Sequence, residues 1–263
     1  MNKMIIDTET ANGLEQPLPY DIGYIIFDDK TGRVLCSRSF VVAEIFLDND
    51  LMNSAYYAEK KPQYWAEIKD GSRTMKKLIN IRRTILDDME RWNVTEVGAY
   101  NMQFDQRAVT NDTRYITASL VRWLFPFGTR FFCIWNMACT SICQTDEYID
   151  FILDNEMLTE KGNIPTSAEA VYAFLQGDKN FAEAHTGLED VRIEKAIYFA
   201  IKMSEMEFDD KPSAACWIGS FFLDLLEDAD LVLGQVGLDG LVVVRPESGQ
   251  GVAVLVFGVG MER

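Results

Sequence analysis

The N-terminal part of the chain consists of short apolar runs separated by turn formers. Residues 3 to 9 read as one strand, and PYDIGYIIFDDKTGRVLCSRSFVV supplies two more β-rich runs joined by a turn at Asp28 to Gly32. Three antiparallel strands are expected to open the domain. The period then changes: Leu78, Ile81, Ile85, Met89 and Trp92 fall on one face of a helix spanning residues 73 to 92, and a short strand, EVGAY, follows at 96 to 100. From residue 103 the pattern is mostly helical, with a short strand at Phe131 to Ile134 and a loop around KGNIP at 161 to 165. Thr166 with Glu169, and Thr186 with Glu189, have the spacing of capping boxes that open two later helices, the second running to about Met203. A meander followed by alternating strands and helices predicts an α/β fold, a mixed sheet flanked by helices.

The pattern changes again after Lys211. Residues 212 to 263 contain no lysine and only Arg245 and Arg263 as basic groups, so we divide the chain into a domain over 1–210 and a C-terminal apolar extension over 211–263. Within the extension a helix is expected first, then a hairpin between Leu241 and Val259, with PESGQG as its turn.

With 263 residues, 48% of them hydrophobic, the chain can bury a substantial core. Acidic residues interrupt the first apolar run, and no later run reaches membrane-spanning length, so a soluble, cytoplasmic protein is expected. Five cysteines without a CxxC pair suit reduced thiols. The net charge of −16 argues against a nucleic-acid ligand, because such ligands are usually met by a basic footprint. Bound cations can reverse the local sign at a site, however, so the charge lowers affinity without excluding the activity. One basic stretch, residues 60 to 83, holds eight basic residues beside Tyr64 and Trp65; it reads as a single-strand contact or as a solvated helix face.

Three pieces carry candidate chemistry. In a strand, residues two apart share a side, so Asp7 and Glu9 present two carboxylates together while Ile6 and Thr8 face the other way. In YNMQFD, Asp105 falls in the first turn of a helix, with Asn101 as a possible cap and Phe104 as a possible core residue. His185, the only histidine, lies just outside a helix that holds Asp190 in its first turns. Clustered carboxylates repel one another unless cations are present, and Mg²⁺ or Mn²⁺ prefers oxygen ligands. Two such ions about 4 Å apart can activate water and stabilise a departing oxygen.

In this order, DTET, NMQFD and HTGLED resemble the motifs of the DEDD exonuclease superfamily, in its histidine (DEDDh, DnaQ-like) variant, over residues 1 to about 205. The stretch from Gly162 to Tyr198 is further similar to exonucleases encoded by bacteriophages or prophages. The resemblance implies a ribonuclease H-like fold and two divalent cations, Mg²⁺ or Mn²⁺. Asp7, Glu9 and Asp190 would hold one, Asp7 and Asp105 the other, and His185 would be the general base. It also implies substrate contacts around Thr8, Thr10, Asn101 and Phe104. The expected activity is 3′ to 5′ hydrolysis of single-stranded DNA to 5′ mononucleotides, in replication proofreading or repair. RNA trimming is the nearest alternative. A non-catalytic module docking on a DNA polymerase is the reading from a different class, and tethering to a polymerase would be compatible with either.

Overall fold

The computed structural model describes residues 1–117 and 124–212, together with two short strands at Val242–Val244 and Val254–Val256. Six strands, β1 (Asn2–Ala11), β2 (Leu18–Asp28), β3 (Val34–Val42), β4 (Thr74–Lys76), β5 (Val94–Ala99) and β6 (Arg130–Cys133), form one sheet in the order β4-β3-β2-β1-β5-β6. The first three pair antiparallel, as the apolar runs predict, and the turn between β2 and β3 closes with the Gly32 amide donating to the Asp28 carbonyl at 2.8 Å. β5 and β6 join parallel beside β1, and β4 joins parallel to the far edge of β3. The predicted mixed sheet flanked by helices is the observed architecture.

The strand period decides which residues meet which helices. Met4 and Ile6 of β1 and Tyr20, Ile22, Tyr24 and Ile26 of β2 enter a core with α1 (Ala43–Phe46), α2 (Asn49–Met52), α3 (Lys61–Asp70), α4 (Leu78–Arg91) and α5 (Met102–Ile116). Ile5, Ile25 and Phe27 point to the other face, where α6 (Ile134–Cys139), α7 (Asp146–Asp154), α8 (Ala168–Gln176) and α9 (Gly187–Met203) build a second core. Each face of β1 is therefore covered, which explains the unbroken burial from Lys3 to Ile6.

Three local expectations are corrected. The helix expected from residue 73 begins at Leu78, because Thr74–Lys76 extends the sheet instead and the Leu78 amide donates to Glu44 Oε2 at 3.0 Å. The next helix expected from a capping box starts one residue later than Thr166 implies. Ser167 caps α8 by accepting from the Ala170 amide, while Thr166 Oγ1 accepts from the Trp135 indole at 2.9 Å. At α9, Thr186 is the N-cap residue as expected, but its hydroxyl donates to Glu189 Oε2 instead of capping a backbone amide.

The basic stretch 60 to 83 does not form one strip. It divides among a 3₁₀ turn at Ala58–Lys60, α3, β4 and α4. Arg73 is buried in ion pairs with Asp21 and Glu67, and Tyr64 is buried beside it. In the C-terminal extension, Val242–Val244 pairs antiparallel with Val254–Val256. The expected helix and the PESGQG turn lie outside the described residues. No helix among the described residues is long and apolar enough to cross a membrane.

Candidate active site

The site lies where β1, β2, α5 and the start of α9 meet. Asp7 stands opposite Gly23 across the β1–β2 ladder, and Glu9 opposite Asp21; the ladder shifts register between Glu9 and Thr10. Such an irregularity bends a strand and re-aims its side chains. Here it follows directly on the second acid. Over the Asp7–Gly23 pair sits Gly187, the first residue of α9. A Cβ on Gly23 would fall inside the backbone of Gly187 and Leu188, and one on Gly187 would lie 2.8 Å from the Gly23 nitrogen and 3.2 Å from the Asp7 carbonyl oxygen. Two glycines thus let the helix start touch the sheet beside Asp7.

Asp21 fixes the same contact by hydrogen bonding. Its Oδ2 accepts from the Gly187 amide at 3.0 Å, from Tyr64 Oη at 2.8 Å and from Arg73 Nη1. The result places Asp190 one turn into α9 and His185 two residues before it, with His185 in a left-handed conformation at φ 46°. The Tyr57 ring stacks on the imidazole with centroids 4.4 Å apart and planes 13° off parallel. Lys60 Nζ donates to the Ala184 and His185 carbonyls and lies over the Tyr57 ring at 4.4 Å. Together Tyr57 and Lys60 hold the histidine loop against the sheet.

Glu9, His185 and Asp190 each bring a ligand atom within 4.8 Å of the others, so the fold gathers three of the five expected residues at metal-binding spacing. His185, expected as a base, therefore stands where it could also ligate. Asp7 and Asp105 adjoin this group electrostatically. Burial holds Asp7 well above the usual carboxylate range, and Glu194, Asp105, Glu9 and Asp190 add to the effect in that order. Burial likewise pushes Glu9 up to about 8, with Asp190 and Asp21 contributing and Lys60 opposing. It takes Asp105 to about 7 despite hydrogen bonds from Thr8. Asp190 rises to about 6, again through burial, with the Thr186 and His185 amides opposing. The His185 imidazole is shifted the other way, lowered by burial and by Lys60.

The residues expected near a substrate divide. Thr8 is buried, and its hydroxyl donates to Asp105 Oδ1 at 2.8 Å, so it braces an acid from the neighbouring helix. Asn101 caps α5, its side chain accepting from the Phe104 amide. Thr10 and Phe104 are half-buried, with the Arg107 guanidinium 5.6 Å from the Phe104 ring.

Two acids beside the cluster were not anticipated. Glu183 Oε2 lies 3.8 Å from His185 Nδ1, and Glu183 forms a second close group with Glu169 and His185. Burial, Asp190 and Glu169 push its carboxyl up to about 8. Glu194, one turn beyond Asp190 on α9, is buried with Oε2 unpartnered. A glutamate two residues before the only histidine, and an acid breaking the Val191–Ile197–Ile201 stripe, were the available signals.

The donor set fits divalent cations. It is rich in carboxylate oxygen, and Asp190 Oδ1 as well as Glu194 Oε2 is buried with no hydrogen-bond partner. A hard cation satisfies such oxygens.

No protein-family model matches the chain, and no curated protein sequence does. Among solved structures it is similar to the nuclease domain of 3′hExo, a DEDDh family member bound to rAMP, with a TM-score of 0.52 and 12% identity over 80% of this chain and 96% of that one. A full-length 3′-exonuclease aligns with a TM-score of 0.51 and 10% identity over 80% and 84% of the two chains. E. coli exonuclease I in complex with a dA16 oligonucleotide aligns with a TM-score of 0.50 and 15% identity over 77% of this chain, which spans only 41% of that one. At these identities the likeness is one of fold, and the chain has the ribonuclease H-like fold that these exonucleases share.

Proposed function

We propose that the protein is a 3′ to 5′ exonuclease that hydrolyses single-stranded DNA to 5′ mononucleotides. The observation that carries this reading is the convergence of Glu9, His185 and Asp190 within 4.8 Å at the end of β1, with Asp7 and Asp105 beside them. The fold likeness to DEDDh 3′-exonucleases supports it. Asp7, Glu9 and Asp190 would hold one divalent cation, and Asp7 with Asp105 a second. When bound, Mg²⁺ or Mn²⁺ supplies the positive charge that phosphodiester hydrolysis needs at the attacked phosphate and the departing oxygen.

The chain's own residues do the rest. Water attacks phosphorus, the bond from phosphorus to the 3′ oxygen breaks, and His185 takes the proton that the water loses. Its lowered pKa keeps the imidazole neutral near pH 7 and able to accept that proton. The departing 3′ oxygen is reprotonated from solvent. Tyr57 and Lys60 restrict the His185 loop, so the base is positioned before substrate arrives. Thr8 orients Asp105. Thr10, Asn101 and Phe104 line the approach for the terminal sugar and base.

A net charge of −16 leaves little general attraction for a polyanion. We therefore place the enzyme in cytoplasmic phage or prophage replication or repair, where tethering to a polymerase raises its local substrate concentration. Turnover of matched DNA and RNA oligonucleotides by the parent protein and by Glu9→Gln tests the substrate class. Faster turnover of DNA, abolished in the variant, is expected; faster turnover of RNA would move the role to RNA trimming.

A further inference from the structure

The buried stripe of α9 runs through Gly187, Asp190, Val191, Glu194, Ile197, Tyr198 and Ile201. Apart from Asp190, Glu194 is the only charged residue in it. Glu194 is 3% exposed, and its Oε2 has no hydrogen-bond partner, whereas the carboxyl accepts from the Tyr100 amide at the end of β5. No basic side chain forms an ion pair with it among the described residues. The charged groups that act on it most strongly are acids, Asp105, Asp190 and Glu183, and it is in turn the strongest charge influence on Asp7.

This arrangement is unfavourable in every respect but one. Residues four apart on a helix face the same way, so Glu194 repeats the direction of Asp190 one turn deeper. Like charges at that spacing repel, and burial strengthens the repulsion. A carboxyl kept there only to receive the Tyr100 amide would need one oxygen; the second is dehydrated and unused. A divalent cation beside Asp7 and Asp105 would satisfy that oxygen and remove the repulsion together.

We propose that Glu194 is a fifth carboxylate of the metal centre, holding a water of the cation shared by Asp7 and Asp105 on the oxygen that the protein leaves unpartnered. The proposal rests on reading the cluster as a metal centre and extends it by one residue that none of the DTET, NMQFD and HTGLED motifs contains.

The test is Mn²⁺ binding to the full chain, followed by electron paramagnetic resonance of free Mn²⁺, for the parent and for Glu194→Gln. The glutamine keeps shape and hydrogen bonding and removes the charge. A loss of about 10–100-fold in the affinity of one Mn²⁺ is expected, the range for residues that support a metal. Equal Mn²⁺ affinity in the two proteins overturns the proposal. Should E194Q not be recovered folded, Glu194→Asp, which withdraws the charge by one methylene, must show the same loss of affinity. A parent that binds Mn²⁺ through Glu194 but cleaves no oligonucleotide contradicts the nuclease reading alone, whereas a parent that binds no Mn²⁺ contradicts both.

Discussion

Gly187 lies directly on Gly23, and this contact sets the position of every α9 residue relative to Asp7. A methyl group on Gly23 has no space without moving the helix start, since backbone atoms of Gly187 and Leu188 occupy it. Gly23→Ala should lower stability by about 1–3 kcal/mol, the usual range for overpacking. It should also reduce turnover by more than about tenfold, because His185 and Asp190 move with the helix. Urea unfolding and steady-state cleavage of one oligonucleotide check the two effects. Full activity in a Gly23→Ala protein would show that the site tolerates displacement of α9.

Arg73 and Asp21 form a buried ion pair that ties β2 to the segment before β4, and Asp21 also receives the Gly187 amide. Removing one partner leaves a buried charge uncompensated. Arg73→Met should cost about 3–5 kcal/mol, and pairing it with Asp21→Asn should recover part of the loss. Denaturant midpoints of the three variants measure this, and an additive double variant would mean the pair is not coupled.

The acids of the cluster make stability depend on pH and metal. Their folded-state pKa values are raised, to about 8 for Glu9, about 7 for Asp105 and about 6 for Asp190. A raised acid binds protons more readily in the folded than in the unfolded state, so its favourable contribution is complete below the unfolded pKa, near 4. It is lost as pH rises through the folded values. The metal-free protein should therefore lose thermal stability between about pH 4 and 8 from these groups. Millimolar Mg²⁺ or Mn²⁺ should restore it at the upper end. Melting curves across this range with EDTA and with Mn²⁺ provide the check; a metal-free curve that rises with pH would contradict the assignment.

Tyr57 stacks on His185 without belonging to any expected motif. Tyr57→Ala should reduce kcat on the order of tenfold by freeing the histidine loop, with KM little changed, and Tyr57→Phe should keep near-parent turnover. If alanine and phenylalanine behave alike, stacking is not what holds the base.

Much of this could be read from residue patterns. The strand period of MIIDTE and the helical period through Leu78 to Met89 gave elements whose buried faces are those observed. The acids at 7 and 9 were visible from their alternation along one strand, and those at 105 and 190 from their place in a first helical turn. β4 was not, since three residues, Thr74, Met75 and Lys76, are too few to carry a periodic signal. Arg73 was read as part of a basic strip, because sequence cannot tell a solvated guanidinium from one paired with a buried Asp21 across the sheet. Glu183 sits in a loop without periodicity, and Glu194 looked like an ordinary charge on a helix until Val191, Ile197 and Ile201 placed it on the buried face.

The central claim is metal-dependent removal of nucleotides from a 3′ end, and end-labelled oligonucleotides test it most directly. Single-stranded DNA labelled at either end should be shortened from the 3′ terminus with Mg²⁺ or Mn²⁺, left intact with EDTA, and left intact by Asp7→Ala and His185→Ala. A folded parent protein that binds Mn²⁺ yet shortens neither label, or a 5′ label released first, would contradict it.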